Sequence, residues 1–144
     1  MTIRTLLVAD LMSRPVRTLH VSANLAEVQA VMAESRIRHV PIIEDDARLV
    51  GLVTHRDMLR RAMGGGAYLP DSIRRPYLRS IPVSQAMTKH LTTTRTDVPI
   101  VDAARTMMEH KFGCLPVVDG GRLVGILTEA DFVNYVAGLE SLEA

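Results

Sequence analysis

The sequence predicts an α/β fold made of two copies of one unit, and three observations predict it. A heptapeptide, Gly51-Leu52-Val53-Thr54-His55-Arg56-Asp57, returns as Gly125-Ile126-Leu127-Thr128-Glu129-Ala130-Asp131. A proline-containing apolar run precedes each copy, Val40-Pro41-Ile42-Ile43 and Leu115-Pro116-Val117-Val118. Ahead of each run, apolar residues recur at helical spacing: Leu25, Val28, Val31 and Met32, then Ile100, Ala103, Ala104 and Met107. A duplicated unit with the same polar pair at the same place suggests two equivalent sites about a pseudo-two-fold axis. Binding is therefore a better first expectation than catalysis.

The copies align at an offset of 75, with Met12 on Met87, Thr18 on Thr93, Met32 on Met107 and Pro41 on Pro116. After Glu44 the offset falls to 74, because Asp45-Asp46-Ala47 is shortened to Gly120-Gly121. A turn tolerates such a change better than any other part of a duplicated fold. Each copy opens with a short extended piece, at 15–21 and 91–96. A helix follows, and Pro99 suits the first turn of the second one. Then come a strand at 40–43, a tight turn and a strand at 49–53. The apolar runs lack clean alternation, as expected of strands buried on both faces. A second helix starts at Thr54, and at Thr128 in the other copy. The repeats span 8–62 and 81–138, joined by a basic Gly/Pro connector at 63–80. The connector holds Gly64-Gly65-Gly66, which ends a helix, and a segment around 72–77 with helical character.

The chain has 144 residues, 47% of them hydrophobic, enough to bury a core, and 3% aromatic, so that core is aliphatic. Net charge is +1, which gives no global drive toward nucleic acid or membrane. One cysteine, Cys114, excludes an intrachain disulfide and fits a reducing compartment. The first 19 residues contain no long apolar stretch, and no window approaches the ~20 apolar residues needed to cross a bilayer. A cytoplasmic protein is expected. No activated nucleophile, paired carboxylates or metal-ligand set appears, so neither an enzyme nor a metal site is expected.

The order strand, helix, strand, strand, helix, closed by Gly-apolar-apolar-Thr-x-x-Asp in both copies, resembles the cystathionine-β-synthase (CBS) domain family. The resemblance covers most of the chain. It implies tandem CBS repeats packed through their sheets with pseudo-two-fold symmetry, a Bateman module here standing alone. It further implies adenosine-containing ligands in clefts between the repeats and a regulatory role without chemistry of its own.

Thr54-x-x-Asp57 and Thr128-x-x-Asp131 read as capping boxes, in which the acid suits the positive end of the helix. A carboxylate so held can also accept both hydroxyls of a ribose, as acids do in dinucleotide folds. The resemblance assigns Asp57 and Asp131 to the ribose, with Thr54 and Thr128 beside them. Backbone next to Pro41 and Pro116 is expected to read an adenine edge. By resemblance, Asp131 and Thr128 group with Val16, Arg17, Ile37 and Arg38, and Asp57 and Thr54 with Leu91, Thr92, Phe112 and Gly113. Arg38 and His39 are the expected phosphate contacts, Arg being suited to bidentate phosphate binding. Gly113 and Cys114 at the matching positions are not, so unequal clefts are expected. The plainer alternative is that Arg36 and Arg38 are solvated surface charges.

The expected function is a sensor of adenine nucleotides, AMP or ATP first and ADP in the same class, with S-adenosylmethionine and NAD as open alternatives. Output would pass through association with itself or a target protein. A homodimer is expected through helix faces, with those carrying Met32, Met107 and residues 58–62 as candidate surfaces; Met32, Met107 and Met108 also read as packing, since periodicity alone does not separate core from interface. The segment 64–76 is a candidate moving part. Two other classes stay open: a ligand-free dimerisation scaffold, and nucleic-acid binding through the basic connector, which the near-zero net charge and scarce aromatics disfavour.

Overall fold

The computed structural model describes residues 5–64 and 70–143. In chain order the elements are α1 (Val8–Leu11), β1 (Leu19–His20), α2 (Leu25–Ser35), β2 (His39–Ile43), β3 (Leu49–Thr54), α3 (His55–Gly64), α4 (Asp71–Arg79), α5 (Ile100–His110), β4 (Cys114–Asp119), β5 (Arg122–Thr128) and α6 (Glu129–Glu143). The chain is a mixed α/β protein with a tandem repeat. Of the triple glycine, Gly64 closes α3, whereas Gly65 and Gly66 lie outside the described residues, as does the 65–69 part of the candidate moving segment.

The chain forms two compact units, Arg17–Leu91 and Met1–Val16 joined with Thr92–Ala144. These limits cut across the repeats. The residues before the first repeat's strands belong to the unit of the second repeat, and the residues opening the second repeat belong to the unit of the first.

In the Arg17–Leu91 unit, β1 pairs parallel with β2 and β2 antiparallel with β3. The face of α2 expected from its spacing, Leu25, Val28, Val31 and Met32, is buried against Val40, Ile42 and Val53 of the sheet. Asn24 caps α2 by accepting the Glu27 N–H at 3.1 Å. The helix stops at Arg36, whose backbone is left-handed at φ 54°. Leu78, Ile81 and Val83 complete this core. Part of the basic connector is built into this core: α4 packs on α2 through Leu78, while Arg75 and Arg79 face solvent.

The other unit repeats this plan. β4 and β5 pair antiparallel, Thr94 bridges Val117 in parallel as Leu19 does Ile42, and α5 ends at left-handed Lys111, φ 57°. Its core joins Val8 and Met12 to Ile100, Ala103, Met107, Leu115, Val117 and Leu127. Pro99 sits one residue before α5 rather than inside its first turn.

Both prolines lie in the middle of their strands, not at the start. The ladder tolerates them because of which edge their nitrogens face. Pro41 is paired with Leu52 and Pro116 with Ile126. The N–H and C=O of Leu52 both bond Thr88, and those of Ile126 both bond Ser13. Each proline therefore occupies a non-hydrogen-bonded pair of the antiparallel ladder, where a missing donor removes nothing. The same pairing explains the glycine in each Leu-Val-Gly. A Cβ on Gly125 would lie 2.7 Å from Met12 Sδ, and one on Gly51 would collide with Met87 Sδ.

Three methionines on the candidate dimer faces belong to the core, as the packing reading of Met32 and Met107 has it. Met32, Met58 and Met107 are core residues. Met108 is the reverse, 79% exposed rather than packed. Among the described residues no helix is long and apolar enough to cross a membrane.

Candidate functional site

In each unit the last strand runs straight into the closing helix, and the Thr-x-x-Asp motif spans the junction. In the first copy, Thr54 N–H donates to Asp57 Oδ2 at 2.8 Å and the Thr54 hydroxyl to the same oxygen at 3.0 Å. Asp57 N–H donates back to Thr54 Oγ1 at 3.2 Å, completing the capping box. In the second copy, Thr128 N–H and hydroxyl donate to Asp131 Oδ2 at 2.7 and 3.3 Å. The strand preceding each motif is tied in from the other side. His39 pairs with Thr54 and Cys114 with Thr128. His55 N–H donates to the Arg38 carbonyl at 2.8 Å, and Glu129 N–H to the Gly113 carbonyl at 3.3 Å. The pre-proline backbone and the acid-bearing helix start are thus held together within each unit.

The two carboxylates differ in their second oxygen. Ser13 Oγ donates to Asp131 Oδ1 at 2.5 Å, and Asp131 is only 7% exposed. The position matching Ser13 is Thr88, whose backbone makes the equivalent strand bonds but whose hydroxyl does not bond Asp57. Among the described residues, Asp57 Oδ1 has no hydrogen-bond partner, and Asp57 is half-buried. Nothing in the repeat spacing marks Ser13, since its partner lies 118 residues away.

The expected site residues fall into both units. Arg17, Ile37, Arg38, His39, Pro41, Thr54, Asp57 and Leu91 belong to one, Val16, Thr92, Phe112, Gly113, Pro116, Thr128 and Asp131 to the other. Arg17 reaches Glu34 at 3.5 Å and the Ser35 hydroxyl at 3.1 Å, along the end of α2. Arg38 is exposed and lines a groove of about 460 Å³ with Arg36, Ile37, His55 and Arg74. The matching groove of the other unit, about 470 Å³, has Lys111 and Phe112 where the first has Arg36 and Ile37, and Glu129 where it has His55. Asp57 itself lines a further groove of about 470 Å³ with Arg60, Arg61, Tyr77, Gln85 and Ala86. Sequence reasoning assigned none of these companions to Asp57. The signal was available: Arg60 and Arg61 follow Asp57 by three and four residues, on one helical face.

Cys114 is buried, and burial pushes its thiol from the ordinary 9.0 up to about 12. It is a core residue with suppressed thiolate character.

Comparison with known proteins agrees with this architecture. The family model described as CBS domain matches residues 8–64 and 83–138. An uncharacterized protein of Methanocaldococcus jannaschii is 30% identical over 139 residues, 92% of this chain and 32% of that protein. The crystal structure of CBSX2 in complex with AMP superposes with a TM-score of 0.78 at 27% identity, covering 94% of this chain and 98% of that one. The CBS domain pair of protein MJ0100, in complex with 5-methylthioadenosine and S-adenosyl-L-methionine, gives 0.76 at 26% identity, covering 94% and 98%. The chain spans a third or less of the first curated relatives it matches, 32% of one and 24% of a homoserine O-acetyltransferase from Methanohalobium evestigatum. Two matched copies over most of the sequence, with the same fold in solved relatives, establish that the chain belongs to the CBS domain family.

Proposed function

We propose that this chain is a regulatory module for adenosine-containing ligands, AMP or ATP first, with ADP in the same class and S-adenosylmethionine and NAD sharing the adenosine part. In this reading Asp57 and Asp131 accept ribose hydroxyls while Thr54 and Thr128 orient the carboxylates. Backbone at Val16, Arg17, Ile37, Pro41, Leu91, Thr92, Phe112, Gly113 and Pro116 addresses the base. Arg38 and His39 address phosphate. The observation that carries the reading is the Asp57 carboxylate, locked through one oxygen by Thr54 with the other left open. The AMP complex of CBSX2 and the adenosine-derived ligands of the MJ0100 pair support the ligand class. Binding would act by differing in affinity between two states of the module.

Calorimetric titration with AMP and 2′-deoxy-AMP tests the diol. Loss of one hydroxyl should weaken binding roughly tenfold or more, the worth of a hydrogen bond to a charged group. Equal affinities would remove the ribose from the site. A second reading, an association scaffold without ligand, draws on α6, where Val133 and Val136 are 66% and 65% exposed. Sedimentation with and without AMP separates the two: a homodimer indifferent to nucleotide, in a chain that binds none, is a scaffold.

A further inference from the structure

A carboxylate offers about four acceptor places, two on each oxygen. At Asp57, Thr54 takes two of these with its N–H and hydroxyl, both on Oδ2. Oδ1 keeps two places, the number a vicinal diol requires. At Asp131, Thr128 takes the same two and Ser13 takes a third on Oδ1. One place is left, so a diol cannot be gripped until the Ser13 hydroxyl turns away. The surroundings differ in the same sense. The Asp57 groove carries Arg60 and Arg61, and Arg60 is exposed. The positions matching them after Asp131 are Asn134 and Tyr135, which are uncharged.

We infer that the two acids fill in a fixed order: Asp57 takes an adenosine ligand first, and Asp131 takes one only when Ser13 releases its carboxylate. Ser13 is a positioning residue that shuts one of two otherwise matched sites. This rests on the ribose reading above and adds which acid binds and what holds the other back. The Ser13 backbone bonds to Ile126 do not involve its side chain, so the hydroxyl can be removed without touching the strand pairing.

Titration calorimetry of the full chain with AMP decides it. The unaltered chain should show one strong event, lost in Asp57→Asn and kept within about twofold in Asp131→Asn. Ser13→Ala should strengthen the second event about tenfold, the value of one charge-assisted hydrogen bond no longer displaced. Ser13→Thr, which restores a hydroxyl, should return the second event to its original strength; a general loosening of the fold would not be reversed this way. A strong event lost in Asp131→Asn, or a Ser13→Ala isotherm superimposing on the original, overturns the order of filling while leaving nucleotide binding intact. Absence of heat in every chain overturns the ribose reading itself, and this inference with it. If Asp131→Asn does not fold, the two Ser13 variants still decide the question.

Discussion

Ser13 and Asp131, 118 residues apart in sequence, share a 2.5 Å hydrogen bond from hydroxyl to carboxylate. Asp131 is consequently bonded on both oxygens and nearly closed to solvent, whereas its counterpart Asp57 is bonded on one and half-open. Identical motifs thus carry different structural weight.

Asp57→Ala should cost about 1 kcal/mol, the usual value of a lost helix cap. Asp131→Ala should cost more, about 1–3 kcal/mol, because it removes the cap and takes the acceptor from the half-buried Thr128 donors and from the Ser13 hydroxyl. Urea denaturation of the two variants measures the difference. Equal midpoints would mean that the Ser13 bond contributes nothing.

Leu78 lies in a stretch dominated by arginine yet is 1% exposed. Leu78→Ala should lower stability by about 2–5 kcal/mol, the range for a truncated core leucine. A surface position would change it by about 0.5 kcal/mol or less, and a result that small would detach α4 from the core.

Two glycines should respond with opposite sign to alanine. At Gly125 the new methyl meets Met12 Sδ at 2.7 Å and the Ser13 carbonyl at 3.3 Å, so Gly125→Ala should cost about 1–3 kcal/mol. At Gly138, inside α6, nothing lies within 4 Å, and Gly138→Ala should stabilise by about 0.5–1 kcal/mol through helix propensity. Thermal melts of both variants beside the parent check the pair.

Cys114 should resist alkylation in the folded chain at pH 8 and react only as the protein opens, since burial holds its thiol near 12 against an ordinary 9.0. The raised value favours the protonated form in the folded state. Its contribution to stability is whole below pH 9 and is lost as pH climbs toward 12. Cys114→Ala should remove that slope, and denaturation at pH 8 and pH 10 on both chains reads it. Rapid labelling of native protein would contradict the burial.

Much of the fold was legible because its determinants are local. The apolar face of α2 followed from the spacing of Leu25, Val28, Val31 and Met32, and the helix starts after Thr54 and Thr128 from a polar pair three residues apart. What escaped was non-local. Met12 and Met87 sit at matching places in the repeat, yet each covers a glycine of the other repeat's strand, and backbone pairing of this kind leaves no periodicity to detect. Leu78 was masked by its charged neighbours. Met32, Met58 and Met107 were ambiguous because helical spacing identifies a buried face but not what buries it. At the candidate site the acids were legible and their inequality was not, since a single serine far upstream creates it.

The exchange of opening segments also dictates an order of assembly. During synthesis the stretch Arg17–Leu91 emerges as a continuous body, able to condense while the ribosome is still extending the chain. The residues that precede it must wait: Val8 and Met12 find their core, and Ser13 its strand, only after β5 has been made. A stretch made before the Arg17–Leu91 body is therefore among the last to settle, and closing that long loop is the step expected to limit the rate of folding.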